Sequence, residues 1–200
     1  MAKNQNKKLD FFRKSFRESL NYIKNSKNFI YSIITIFLLF SLIGFFAPTP
    51  AILEKRILEF IDALLKQTEG MSQLELTKFI FFNNLQSSFI GMIFGVILGI
   101  FPLLTTLANG YLLGFVAAKT VGGEGIFVLW RLLPHGIFEL PALFISLGLG
   151  LKMGTFVFKK NKLETLNIYL AKSIKVFFFV VIPLLIVAAI IEGSLIFLAG

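Results

Sequence analysis

The sequence predicts an all-α fold: a polytopic membrane helical bundle of about five transmembrane helices, the fourth broken by proline. Three observations predict it. Hydrophobic residues make up 56% of the chain and charged residues 16%, with 25 Phe, whereas soluble domains are about 45–50% apolar and about 25% charged. The apolar residues gather in stretches long enough to cross a bilayer, which takes about 20 residues. The Lys and Arg behind the net charge of +9 collect between those stretches, so the charge reads first as a topology signal.

Residues 1–28 read as a basic amphipathic segment and residues 29–200 as the transmembrane domain. In the first segment Leu9, Phe12, Phe16, Leu20 and Ile23 fall on one helical stripe among basic residues. That is the pattern of a helix lying on an anionic leaflet; equally, the charges serve only to orient the first span. The first span, 29–46, stops at Ala47-Pro48. Its basic leader and apolar run are both longer than a cleaved signal peptide uses, so the span is expected to be retained.

Thr49-Pro50 reads as an N-cap with Pro at the first helical position, opening an external amphipathic helix over 50–66. Leu53, Ile57, Phe60, Ile61, Leu64 and Leu65 form its apolar face, which could lie on lipid, cover the bundle or dock a partner. Ser72-Gln73-Leu74-Glu75 is a capping box leading into the second span, 79–101. The third span, 103–118, follows Pro102, the fourth is 126–153, and the fifth is 176–198.

Eight Lys/Arg in 1–28 and six Lys in 152–175 outnumber the acids there, whereas 47–78 carries four basic and five acidic residues. Positive charge favours the cytoplasm. The N-terminus and the 152–175 loop are therefore expected inside and the C-terminus outside, in agreement with five crossings.

Within the spans, Ser87, Gly91, Gly95 and Gly99 recur every four residues, and Gly110 and Gly114 repeat the spacing on the third span. Small residues so placed let helices meet backbone to backbone. A hairpin of spans two and three, turning near Pro102, is the expected contact, with homo-oligomerisation the alternative. Polar residues in the hydrocarbon form the candidate site: Asn84, Asn109, and Arg131, His135 and Glu139 at i, i+4 and i+8 on the fourth span. Pro134, Gly136 and Pro141 are expected to break that helix. Glu139 lies about 20 Å along the span counted from residue 126, where a charge is costly unless paired. It is either a satisfied lock for the bundle or a protonatable, ligand-binding group of the kind broken transporter helices carry.

No Cys and one His leave too few ligands for a protein-held metal site, so no metal or cofactor is expected. No nucleic-acid partner is expected either.

The Asn83-Asn84 pair, the Leu107–Gly114 stretch with Asn109-Gly110, and above all Leu133-Pro134-His135-Gly136-Ile137-Phe138-Glu139-Leu140-Pro141 resemble the stage II sporulation protein M family. The likeness carries conviction over about residues 75–155 and rests on topology elsewhere. It implies a non-enzymatic membrane subunit, since the name-giving member anchors two peptidoglycan-degrading partners at the septal membrane. The expected function is thus a scaffold for other membrane or exported proteins. A small transporter or channel using His135 and Glu139 is the alternative, and an intramembrane hydrolase, lacking a nucleophile, ranks third.

Overall fold

The computed structural model describes the backbone of residues 2–125 and 133–199, and the side chains of residues 9–123, 125 and 136–198. Every regular element among them is helical: α1 (Ala2–Lys24), α2 (Lys27–Phe46), α3 (Ala51–Thr68), α4 (Gln73–Ile93), α5 (Ile100–Glu124), α6 (Leu133–Gly154), α7 (Lys162–Val176) and α8 (Ile182–Ala199). Among the described residues five segments are long and apolar enough to cross a membrane: 27–46, 73–96, 100–123, 136–158 and 162–198. In lipid each backbone polar group must be satisfied within its own segment, and helices achieve this.

The central helix is α6. In its span 56% of residues are buried inside the protein, against 22–33% in the other four. Its buried run Ala142–Gly150 meets α2, α4, α5, α7 and α8. Ala142, Leu149 and Met153 join Met92, Val176, Phe177, Val181 and Leu185 in one apolar cluster, and Leu143 and Leu147 join Ile33 in another. Side chains such as Leu38, Phe82 and Phe178 point away from the bundle, as lipid-facing residues do.

Several boundaries differ from those the sequence predicts. The turn between the second and third spans is Ile97–Gly99, not Pro102. A 3-10 turn at Phe94–Val96 ends the second span, and Leu98 and Gly99 take left-handed φ of 52° and 71°. Gly99 is therefore a turn residue and the N-cap of α5, not part of a span-two stripe. Pro102 falls in the first turn of α5, where a missing N–H leaves no intrahelical bond unmade. The third span consequently runs to 124, not 118.

Pro141 does not break α6, which continues through it. Its ring is exposed, and one absent N–H is tolerated in a spanning helix where the neighbours re-satisfy the freed carbonyl. Gly136 likewise lies within helical backbone, and Pro134 lies in the first turn of the described helix, with residues 126–132 before it outside the described residues. The last span is the end of one long rod, in which α7 continues through a π-turn at Phe177–Val181 into α8. Pro183 follows directly and cannot donate to the Phe179 carbonyl, a common cause of local rewinding.

At α3 the cap moves by one residue. Pro50 is the N-cap, and Thr49 Oγ1 hydrogen-bonds the Tyr111 hydroxyl of α5 at 2.9 Å instead of capping the helix. The capping box on α4 forms as its residues predict: Ser72 N donates to Glu75 Oε2 at 2.8 Å, and Ser72 Oγ accepts from Glu75 N.

Candidate functional site

The glycine stripes make close contacts, but not with each other. A Cβ at Gly95 would strike the Gly150 backbone, and one at Gly91 would strike the Leu147 side chain, both on α6. A Cβ at Gly110 would meet the Phe37 carbonyl at 2.6 Å, and one at Gly114 would strike the Ser41 carbonyl, both on α2. The expected hairpin contact between spans two and three is thus replaced by α4 on α6 and α5 on α2. Ser87 is half-buried, and Ser88 beside it is buried.

The asparagines are satisfied locally. Asn109 Nδ2 donates to the Thr105 carbonyl at 2.8 Å, and Asn84 Oδ1 accepts from Asn83 Nδ2 at 3.4 Å. Glu139 is half-buried and engaged in an interaction of its own. It lies six residues into α6, whose described part starts at Leu133; residues 126–132, from which its depth of about 20 Å is reckoned, lie outside the described residues. Arg131 and the side chains of Pro134 and His135 lie outside the described residues. No group of three metal-ligating side chains occurs among the described residues.

The α3 face carries a more exposed feature. Helix α3 is tied to the bundle by the Thr49–Tyr111 hydrogen bond, the Lys119–Glu54 ion pair and buried Ile57. Ile61 and Leu64 are half-buried, and other apolar side chains stand clear: Ile52 is 82% exposed, Phe60 51% and Leu65 64%. Between α3 and the spans runs a groove of about 550 Å³, walled by Phe40, Leu53, Phe60, Leu107 and Leu112, with Arg56 beside it. On the polar side Lys66 pairs with Asp62 at 2.7 Å, which raises the lysine's pKa above 10.5.

At the opposite end α1 packs along α7. The docked face of α1 is Ser15, Ser19 and Tyr22, continued by Ser26 at the N-cap of α2, all buried, and its apolar stripe Leu9, Phe12, Phe16 and Leu20 is left outward. Phe12 meets Phe179 edge-on at 5.8 Å, which sets the stripe beside a spanning segment. This small polar face recurs at helical spacing and was open to detection in the sequence, but the apolar stripe is the stronger signal.

Lys175 Nζ donates to Glu18 Oε2 at 2.7 Å, and this bond, aided by the nearby lysines, holds the exposed Glu18 carboxyl below its usual 4.5. A carboxyl with a depressed folded pKa stabilises the fold above its unfolded value and stops doing so as pH falls through the folded value. The protection of α1 amides in lipid nanodiscs, corrected for the intrinsic exchange rate at each pH, is accordingly expected to be constant from neutral pH to the usual carboxylate range and to fall below it. Glu18→Gln is expected to remove that acid dependence.

Residues 33–195 match the family described as stage II sporulation protein M. The chain is also similar to an uncharacterized protein of Methanocaldococcus jannaschii, 34% identical over 176 residues that cover 84% of this chain and 78% of the relative. No solved structure matches. With the match spanning three of the five membrane-crossing segments in full and most of the two outer ones, the chain belongs to the stage II sporulation protein M family.

Proposed function

We propose that the protein is a non-enzymatic membrane scaffold, which anchors or organises other membrane or exported proteins, envelope-remodelling factors among them. The observation that carries this reading is α3: an amphipathic helix held by two polar ties and one buried side chain, with Ile52, Phe60 and Leu65 uncovered. A helix bound so sparingly can offer its apolar side to a partner's groove, a common mode of recognition. In this reading the α1/α7 face is cytoplasmic and rests on anionic headgroups, and α3 and the C-terminus are outside.

Photo-crosslinking from positions 52 and 60 in native membranes tests it. The same membrane or exported protein, identified by mass spectrometry at both positions, is expected. Its yield from either position is expected to fall about ten-fold in Leu65→Asp, since losing an interface contact of about 1.4 kcal/mol is a factor of ten. Adducts to lipid alone, or a protein adduct indifferent to that charge, would sink the scaffold. Solute flux in liposomes that disappears with Glu139→Gln would favour the transporter instead.

A further inference from the structure

The seam between α1 and α7 encloses a cleft of about 500 Å³, lined by Asn21, Tyr22, Asn25, Lys172 and Lys175 together with Glu18. Its charge is unbalanced. Glu18 is the acid of the lining, it is paired to Lys175, and Lys14 and Lys172 also stand close enough to act on it. Lys172 Nζ lies 5.7 Å from the centre of the Tyr22 ring.

A second ammonium is buried behind the same ring. Lys152 of α6 is only 8% exposed, and its Nζ lies 4.0 Å from the centre of the Tyr22 ring and 5.2 Å from that of Tyr169. Its hydrogen bond goes to Ser26 Oγ at 2.9 Å, a neutral acceptor, and no carboxylate pairs with it among the described residues. Aromatic faces attract a cation but do not cancel its charge, and a buried cation without a counter-ion is the costly case. Beside it, the buried Tyr22 and Ser173 hydroxyls interact with one another, and neither has a further partner among the described residues. Burial raises the Tyr22 pKa to about 12, so the phenol keeps its proton. A buried ammonium with only a neutral acceptor calls for a ligand, ion or water to explain it.

We infer that the α1–α7 cleft is a binding site for a phosphate group, with Lys172, Asn21 and Asn25 as its direct donors and Lys152 as the buried counter-charge behind Tyr22. The phosphate belongs either to an anionic lipid headgroup, which the outward apolar stripe of α1 would bring alongside, or to a soluble phosphate. The two basic stretches of the chain, 1–28 and 152–175, thus converge on one ligand as well as orienting the protein. The site is independent of whether α3 docks a partner.

The full-length protein in neutral phosphatidylcholine nanodiscs tests this, with thermal stability as the readout. One arm titrates inorganic phosphate, and the other replaces part of the lipid by phosphatidylglycerol. Stabilisation by phosphate alone identifies a soluble ligand; stabilisation only with phosphatidylglycerol identifies a headgroup. In the arm that responds, Lys172→Gln is expected to raise the half-saturating concentration about ten-fold, as loss of one charge-assisted contact does, and Lys152→Met about three-fold, as loss of a nearby charge that makes no contact does. Lys160→Gln, on the exposed turn after α6, is expected to respond like wild type. Lys152→Met removes the buried charge while keeping an apolar stem, so its fold without ligand is expected to be at least as stable. No stabilisation in either arm overturns the site. So does an equal response in all three variants, or a loss in Lys160→Gln matching that in Lys172→Gln, which would mark unspecific surface charge.

Discussion

Gly95→Val is expected to lose most of the folded protein, whereas Gly122→Ala is expected to fold as wild type or slightly better. The added Cβ at Gly95 would overlap the backbone of Gly150, and the contact is reciprocal, since a Cβ at Gly150 would meet the Gly91 and Met92 carbonyls at 2.9 Å. Gly154 lies as close to the backbone of Leu98 and Gly99. Overpacking a core usually costs about 1–3 kcal/mol, because side chains shift to absorb it. Backbone on both sides cannot shift without parting α4 from α6, so about 3 kcal/mol or more is expected. Against a typical stability of about 5–15 kcal/mol that is a large share. Gly122 meets nothing within 4 Å, so alanine there gains only helix propensity, up to about 1 kcal/mol. Monodisperse yield and thermal unfolding in detergent would separate the two. Equal behaviour would mean that the α4–α6 contact does not support the fold.

The same glycines show what the sequence could and could not convey. Four-residue spacing signals close approach, because small residues are what allow it in lipid. It says nothing about the partner: Ser146, Gly150 and Gly154 of α6 keep the same four-residue spacing, and nothing in that spacing pairs them with Gly91, Gly95 and Gly99 rather than with another helix. Span centres were legible because the bilayer demands about 20 apolar residues. The turn at Ile97–Gly99 was not, since Ile97 and Leu98 are as apolar as the helices around them. Pro102 drew the boundary to itself, although proline is well tolerated in a first helical turn.

The candidate site divided in a similar way. Asn84 and Asn109 stand out as polar residues in apolar spans, yet their amides bond within their own helices. Lys152 was hidden by context. It begins a basic stretch that reads as solvated topology charge, and its burial depends on which face of α1 docks. The apolar stripe of α1 directs attention to the wrong side, because the docked face carries Ser15, Ser19 and Tyr22. In a soluble protein the apolar stripe would be the buried one. Beside a membrane it is free to face lipid, and the small polar face is left to pack on α7.

That difference in solvent also sets the size of the second large effect, Phe37→Ala. Phe37 is 2% exposed on α2, its ring meets Phe144 of α6 edge-on at 5.0 Å, and its carbonyl lies over Gly110 of α5. It therefore sits where three spanning helices meet. In a water-soluble core Phe→Ala costs about 3–5 kcal/mol, part of it transfer from water and part the cavity left behind. Between lipid and protein interior the transfer part is nearly absent, while the lost dispersion contacts and the ring pair remain. About 2 kcal/mol is therefore expected. Phe46→Ala, at a ring 76% exposed from the bundle, is expected to cost under about 0.5 kcal/mol. Unfolding of both variants in bicelles by added denaturing detergent would measure the difference. A Phe37→Ala loss near 4 kcal/mol would show that water reaches this junction in the unfolded reference state. A loss equal to that of Phe46→Ala would mean that α2 is not seated against α5 and α6 as these contacts require.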